Sequence, residues 1–352
     1  MIVATLVGTL VLAPISIRAA AASCRLATSG EPCRTPWLDE GAELRALEGS
    51  PPGAVTATTE LGSVDDAPRR GRHRLRSLGI TAGLYAGFIT WAHFAWYRGK
   101  IEHGFQWGRD GWFGKETYAG GADKLGHAWA TMVLGRGSSR VLRKGGWDDT
   151  SAAVLGGGLS WTLFLFVEIK DGYAYRFSTG DLVFNTAGAI MGVLQEVSPR
   201  FDELLDFRVA YAPSDEYLGL WEGRYYGTKK GNSLNIAEDY SGQTYYLALH
   251  LGAVPGVRTA PKPLATALEY LDLGVAFETR RYKPDAPPEA IPTQQLFLGA
   301  TIDLQRVMDR ALRKQQITRK VTHGVLEVMS PPYTIVPVVG ARRSATGPLP
   351  EQ

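Results

Sequence analysis

The chain is predicted to be an α+β protein: a membrane-associated four-helix bundle followed by a small antiparallel β-sheet segment. Two observations carry this. Between residues 78 and 195 four apolar stretches recur with helix-forming lengths. Beyond Pro199 the hydrophobic period drops to two, the alternation of a strand with one apolar face. The overall composition is ordinary, 45% hydrophobic and 21% charged over 352 residues, with a net charge of +3 that gives no reason to expect nucleic acid.

The N-terminal run MIVATLVGTLVLAPISI and the small residues Ala19–Ala22 resemble a secretory signal, so residues 1–23 read as a signal peptide or membrane anchor. No basic residue precedes the run, and Arg18 follows it. Cys24 is the position a lipid would modify, although Ala21 stands where a lipobox has a large aliphatic residue. Cys24 and Cys33 are the only cysteines, able to form one local disulfide in an oxidising compartment, so thiol chemistry and cysteine-held zinc are excluded from the core. Residues 24–74 are rich in Ala, Gly, Pro, Ser and Thr and read as a disordered linker, ending in the basic cluster Arg69–Arg76.

Residues 75–198 form the helical domain. Its helices are expected over 78–97, 124–140, 150–169 and 179–195. A spanning helix needs roughly 20 apolar residues, which the first and third stretches supply. Gly156-Gly157-Gly158 and Gly188/Gly192 suit close helix approach. Residues 199–340 are strand-rich: in LEYLDLGVAFET, Leu271, Leu273, Val275 and Phe277 oppose Asp272, Gly274, Ala276 and Glu278. Three or four such strands cannot close a membrane barrel, which takes at least about 8. Residues 341–352 read as a disordered tail.

Short connections make sequential helices antiparallel. The start of the second helix, the end of the third and the start of the fourth are therefore expected at one level. That brings together Asp123, Lys124 and His127 with Glu168, Asp171 and Arg176, and with Ser178, Asp181 and Asn185. His93, Trp96 and Tyr97, at the end of the first helix, are expected there too. Local rules explain part of the cluster: Asp123 as a cap, Ser178 with Asp181 as a capping box, Lys124 snorkelling. They do not explain Glu168, His127 and Asn185 inside apolar helices. Buried polar groups are expensive unless they pair, so these are expected to pair with one another. No comparable cluster is expected at the opposite ends, where Arg140, Arg143 and Lys144 join Arg69–Arg76. The positive-inside rule would place those ends in the cytoplasm and the site in the periplasm, whereas a cleaved signal would put Arg69–Arg76 outside.

The set DKLGH, E-x-x-D-G and S-x-x-D-x-x-x-N-x-x-G resembles the YfiM-like family of predicted periplasmic lipoproteins, whose function is unknown. More distantly it resembles the VanZ-like membrane proteins. Both are grouped with lipid-associated proteins under the name lipocone, and the resemblance extends over roughly residues 75–340. It implies a lipid head group as substrate class. It also carries Asp123, Lys124, His127, Glu168, Asp171, Ser178, Asp181 and Asn185 over as site residues, with Arg176 a loose match to an arginine before the serine.

Two functions follow as expectations. In the first, an envelope hydrolase or transferase acts on lipid head groups. His127 is then general base or nucleophile oriented by Asp123, Glu168 or Asp181 is the second acid/base, and Lys124 and Arg176 hold a phosphate. Asp171, Ser178 and Asn185 complete the substrate contacts. In the second, the protein is a structural, lipid-binding or partner-binding envelope lipoprotein, the C-terminal sheet offering the surface for an envelope protein. No cofactor is called for. A divalent cation held by His127 and carboxylates is the metal variant, without any H-E-x-x-H spacing behind it.

Overall fold

The computed structural model describes residues 66–100, 102–108, 111–224, 236–282, 287, 289–345 and 347. The N-terminal apolar run, most of the linker, Cys24 and Cys33 lie outside the described residues. Mixed α+β architecture is borne out. Helix α1 (Asp66–Ala92) takes up the last nine residues of the expected linker and closes in a π-helical turn, His93–Tyr97. The bundle continues with α2 (Ala122–Lys144), α3 (Asp149–Ala174) and α4 (Thr179–Val197). Helix α3 runs past residue 169, so Asp171 lies on a helix rather than in a loop. Capping explains two starts: Asp148 accepts from the Ser151 amide (2.9 Å), and Ser178 from the Asp181 amide (3.0 Å).

Three of these helices form the tight bundle: α2, α3 and α4. Glycine permits their approach. A Cβ on Gly188 would sit 2.1 Å from the Ala128 carbonyl oxygen, and one on Gly156 would sit 2.3 Å from Ser139 Oγ. Helix α1 packs on them through a narrow strip. Ser77 and Thr81 are buried, Tyr85 meets Ser138 Oγ at 2.9 Å, and Phe88 lies 5.6 Å from Phe164. Its other side is exposed at Ile80, Leu84 and Ile89. Among the described residues, α3 is the helix long and apolar enough to cross a membrane, and half of its apolar window is buried inside the protein.

After the short α5 (Pro199–Leu204) come β1 (Leu205–Tyr211), α6 (Asp215–Glu222), β2 (Gln243–His250), α7 (Lys262–Glu269), β3 (Leu271–Arg280) and β4 (Thr293–Ile302). The chain ends with α8 (Leu304–Ala311), α9 (Gln316–Leu326), β5 (Met329–Ser330) and β6 (Val336–Ser344). Strand β6 reaches past residue 341, where a disordered tail was expected. The sheet has six strands in the order β5-β1-β2-β3-β4-β6, antiparallel except for β1 with β5.

The burial of the sheet corrects the expectation from alternation. Phe207, Val209 and Tyr245 pack on Ala128 and Met132 of α2. That helix packs on β1, β2 and Phe277 of β3, and elsewhere on the same face Val275 remains 44% exposed and Leu298 52% exposed. The opposite, polar face is the better buried: Asp272 and Ala276 are fully covered. Its core holds Tyr246, Ala248 and Phe297, with Ile335 packed against them. Its charges pair among themselves. Arg208 Nη1 donates to Asp272 (3.0 Å) and Nη2 to Gln305 of α8 (3.0 Å), while His250 bridges Asp272 (2.8 Å) and Asp206 (3.0 Å).

A second correction concerns the far end of the bundle. Arg136 bonds Glu196 (3.0 Å) and Asp202 (2.6 Å), Arg140 bonds Glu327 (2.6 Å), and Arg143 also reaches Glu196. A dense charged cluster does recur there. Glu327 arrives from beyond α9, at a distance in sequence that helix periodicity cannot reveal. Arg140 and Arg143 are thus neutralised, which weakens their use as a topology signal.

The Gly188 contact is with backbone and cannot move aside. Gly188→Ala should lower stability by about 3 kcal/mol, at the upper end of overpacking costs. Chemical denaturation reads this directly; an unchanged midpoint would mean the helices do not approach as closely as described.

Candidate functional site

The site begins at the entry to α2. Ala119, Gly120 and Gly121 all have positive φ (47°, 61° and 85°), a left-handed approach that delivers the chain to the helix without a side-chain cap. Asp123 is therefore not the cap. It stands in the first turn, where the helix dipole favours an acid. Lys124 does not snorkel. Its side chain is fully buried, with Nζ 3.2 Å from Asp181 Oδ1 and 3.4 Å from Asp123 Oδ2. Two helix N-termini, α2 and α4, thus share one lysine between their first-turn acids.

One turn further, His127 Nδ1 lies 3.2 Å from Glu168 Oε1 and 3.2 Å from Asn185 Oδ1. Asn185 donates through Nδ2 to the same Glu168 oxygen at 3.0 Å. Thr131 Oγ1 is 2.9 Å from Asn185 Oδ1, and Ser160 donates to the Thr131 carbonyl (2.7 Å). Nδ1 faces inward and carries the hydrogen. Nε2 is left as the lone-pair nitrogen, with no hydrogen-bond partner among the described residues. Asp171 accepts from the Tyr97 hydroxyl at 2.8 Å, so the end of the first helix does reach the site; His93 stays exposed outside it.

These groups divide into two ranks. His127, Asp123, Asp171, Ser178, Asp181 and the exposed Arg176 line a cleft of about 1630 Å³. Glu168, Asn185 and Lys124 lie behind that wall, each at most 1% exposed. The cleft is strongly aromatic, with Trp91, Trp96, Trp129, Phe164 and Tyr175 on the helical side. Tyr211, Glu238, Tyr240, Gln243 and Tyr245 form the wall supplied by the sheet segment, and Lys100, His103 and Lys115 add cationic or titratable groups. Sequence reading missed that wall because nothing local ties residues past 199 to the helix ends. Thr131 was findable, four residues beyond His127 on the same face.

Burial pushes the Glu168 carboxyl up to about 10, with Asp181 and Asp171 adding to it and the Asn185 hydrogen bond opposing. Glu168 is therefore neutral at physiological pH. Burial likewise raises Asp171 to about 7, against the Tyr97 hydrogen bond, which favours the ionised form. Ligand atoms of His127, Glu168 and Asp181 lie within 4.8 Å of one another, a nitrogen–oxygen set suited to a divalent cation. Lys124 already places a positive charge against Asp181 there. His250, Asp272 and Asp303 form a second such group, compensated by the Arg208 guanidinium. Burial opposes charge on His250, but bonds to Asp206, Asp272 and Asp303 outweigh it and raise the imidazole to about 11. That group is buried in the sheet away from the cleft.

A family model described as a predicted periplasmic lipoprotein (DUF2279) matches residues 109–197, the stretch holding α2, α3 and α4 with every anchor of the polar cluster. An envelope location fits that description. The match stops short of the strand-rich segment. No curated protein and no solved structure matches the chain.

A folded-state value raised above the unfolded one contributes stability that is complete below about pH 4.5 and lost as pH rises toward 10. Glu168→Gln keeps the acceptor oxygen and removes the titration. Thermal melts from pH 5 to 9 should show the wild-type protein losing stability relative to this variant, by an order of 1 kcal/mol per pH unit. Parallel curves would show that Glu168 is ionised in the fold.

Proposed function

We propose that the protein is an envelope enzyme acting on a lipid or lipid-linked head group by hydrolysis or head-group transfer, with His127 as general base. The observation carrying this is the orientation of His127. Its Nδ1 is locked to Glu168 and Asn185, each at most 1% exposed, and its free Nε2 belongs to a side chain on the wall of a large cleft. This is the arrangement in which an orienting partner fixes the tautomer and leaves the other nitrogen to take a proton.

In this reading Nε2 removes the proton of a water or alcohol hydroxyl as its oxygen attacks the head-group ester. The negative field of Asp181 and Asp123 stabilises the imidazolium. Asp171, raised to about 7 and lining the same cleft, returns a proton to the leaving oxygen. Arg176 and Lys115, both on the cleft wall, are the cations placed to meet a phosphate. Lys124 acts from behind, positioning Asp123 and Asp181 rather than touching substrate. A lipid-type substrate suits the aromatic walls and the exposed apolar flank of α1, the helix whose Phe88 and Trp91 line the cleft.

One observation favours a second, non-enzymatic reading. The Asn185–Glu168–Thr131–Ser160 bonds also fix the register of three helices, as an inert polar network would. His127→Gln separates the two. Incubated with vesicles bearing labelled phospholipid, the wild-type protein should release or exchange head group, and the variant should be slower by about 10²–10⁴-fold with its melting temperature retained. Loss of folded protein in place of loss of turnover would support the scaffold.

A further inference from the structure

Helix α9 carries an apolar stripe that is left exposed among the described residues. Ile317 is 83% exposed, Val321 62% and Val325 49%, at four-residue spacing along one side of the helix. A stripe at this spacing ordinarily faces a core. Here the helix turns its polar groups inward: Glu327, just past its end, is buried on Arg140 (2.6 Å), and His323 bonds Asp309 of α8 at 2.8 Å. The acids of this segment are thereby neutralised. Arg313, Lys314 and Lys320 are exposed at the start and flank of the stripe and form no ion pair among the described residues. Further exposed cations lie on α1. Arg74 bonds the Gly146 carbonyl just beyond the end of α2 that Arg140 occupies, and Arg72 and Arg76 beside it are exposed.

We propose that α9 is an interfacial helix that lays Ile317, Val321 and Val325 into the surface of an anionic phospholipid bilayer, with Arg313, Lys314 and Lys320 on the phosphates. An apolar stripe flanked by lysine and arginine is the physical requirement for such a helix. A second copy of this chain is the poorer occupant, because a two-fold contact would bring the same three cations against themselves. Nucleic acid would leave the aliphatic stripe in water. The proposal is independent of the chemistry assigned to the cleft.

Hydrogen exchange on the full chain tests it, since the readout is local to α9 whatever holds the N-terminus. With vesicles of phosphatidylglycerol mixed into phosphatidylcholine, amides of Gln316–Leu326 should exchange about tenfold slower than with phosphatidylcholine alone, and the difference should shrink in high salt. Lys314→Gln with Lys320→Gln should weaken the docking of α9 by about thirtyfold, taking each cation at its usual contribution near a charged membrane. Ile317→Asp with Val321→Asp should abolish the protection while β2–β4 amides exchange as before. If those strands change, the lysine pair, exposed and unbonded, decides alone. Equal protection on both lipids overturns the proposal. So does protection that appears without vesicles and grows with protein concentration, or protection gained from added RNA and not from vesicles.

Discussion

The structure depends on the cost of burying Lys124, Glu168 and Asn185 among three apolar helices. Each is nearly or wholly removed from solvent. Alone, any of them would cost several kcal/mol, enough to rival the stability of a whole domain. Together they satisfy one another: ammonium to two aspartates, amide to carboxyl and imidazole, hydroxyl to amide. The pairing works only when α2, α3 and α4 stand in one register at one separation. Glycines at 156 and 188 make that separation reachable by letting backbone meet backbone or a small side chain. Polar satisfaction and glycine packing are therefore one constraint seen from two sides.

From that constraint the chemistry follows. Packing forces the inner rank of the cluster to be neutral or paired, which is why Glu168 holds its proton. In the outer rank His127 and Asp181 are held by the inner one and Asp171 by Tyr97, yet all three open on the cleft. A group that is rigid on one side and accessible on the other is what proton transfer requires. The sheet closes the cleft from across with tyrosines, and its own buried charges, Arg208 and His250 against three aspartates, keep it rigid without reaching the site. At the other end of the bundle, Arg136, Arg140 and Arg143 bind Glu196 and Glu327, tying the helices to the segment that follows α9.

Much of the helical half was legible. Apolar runs placed four helices, short loops made them antiparallel, and the rule that buried polar groups pair brought Asp123, His127, Glu168, Asp181 and Asn185 to one level. The errors share a cause. Asp123 looked like a cap because local rules are blind to the left-handed turn at Ala119–Gly121 that delivers the helix. Lys124 looked like a snorkelling side chain because its partner Asp181 lies 57 residues away.

Residue spacing by itself determined which side chains share a helix face and, through chain connectivity, which helix ends meet. That suffices because the 3.6-residue turn and the short loop are local properties. It could not decide which face of the sheet is buried, since alternation marks two faces without saying what will cover them. Tertiary structure decided that: α2 leaves Val275 and Leu298 of the apolar face largely uncovered, and self-paired charges let the polar face go inside. Nor could spacing show that residues beyond 199 would wall the cleft, or that the aliphatic stripe of α9 would be left facing outward. Those are outcomes of long-range packing, where the partner is set by the whole chain.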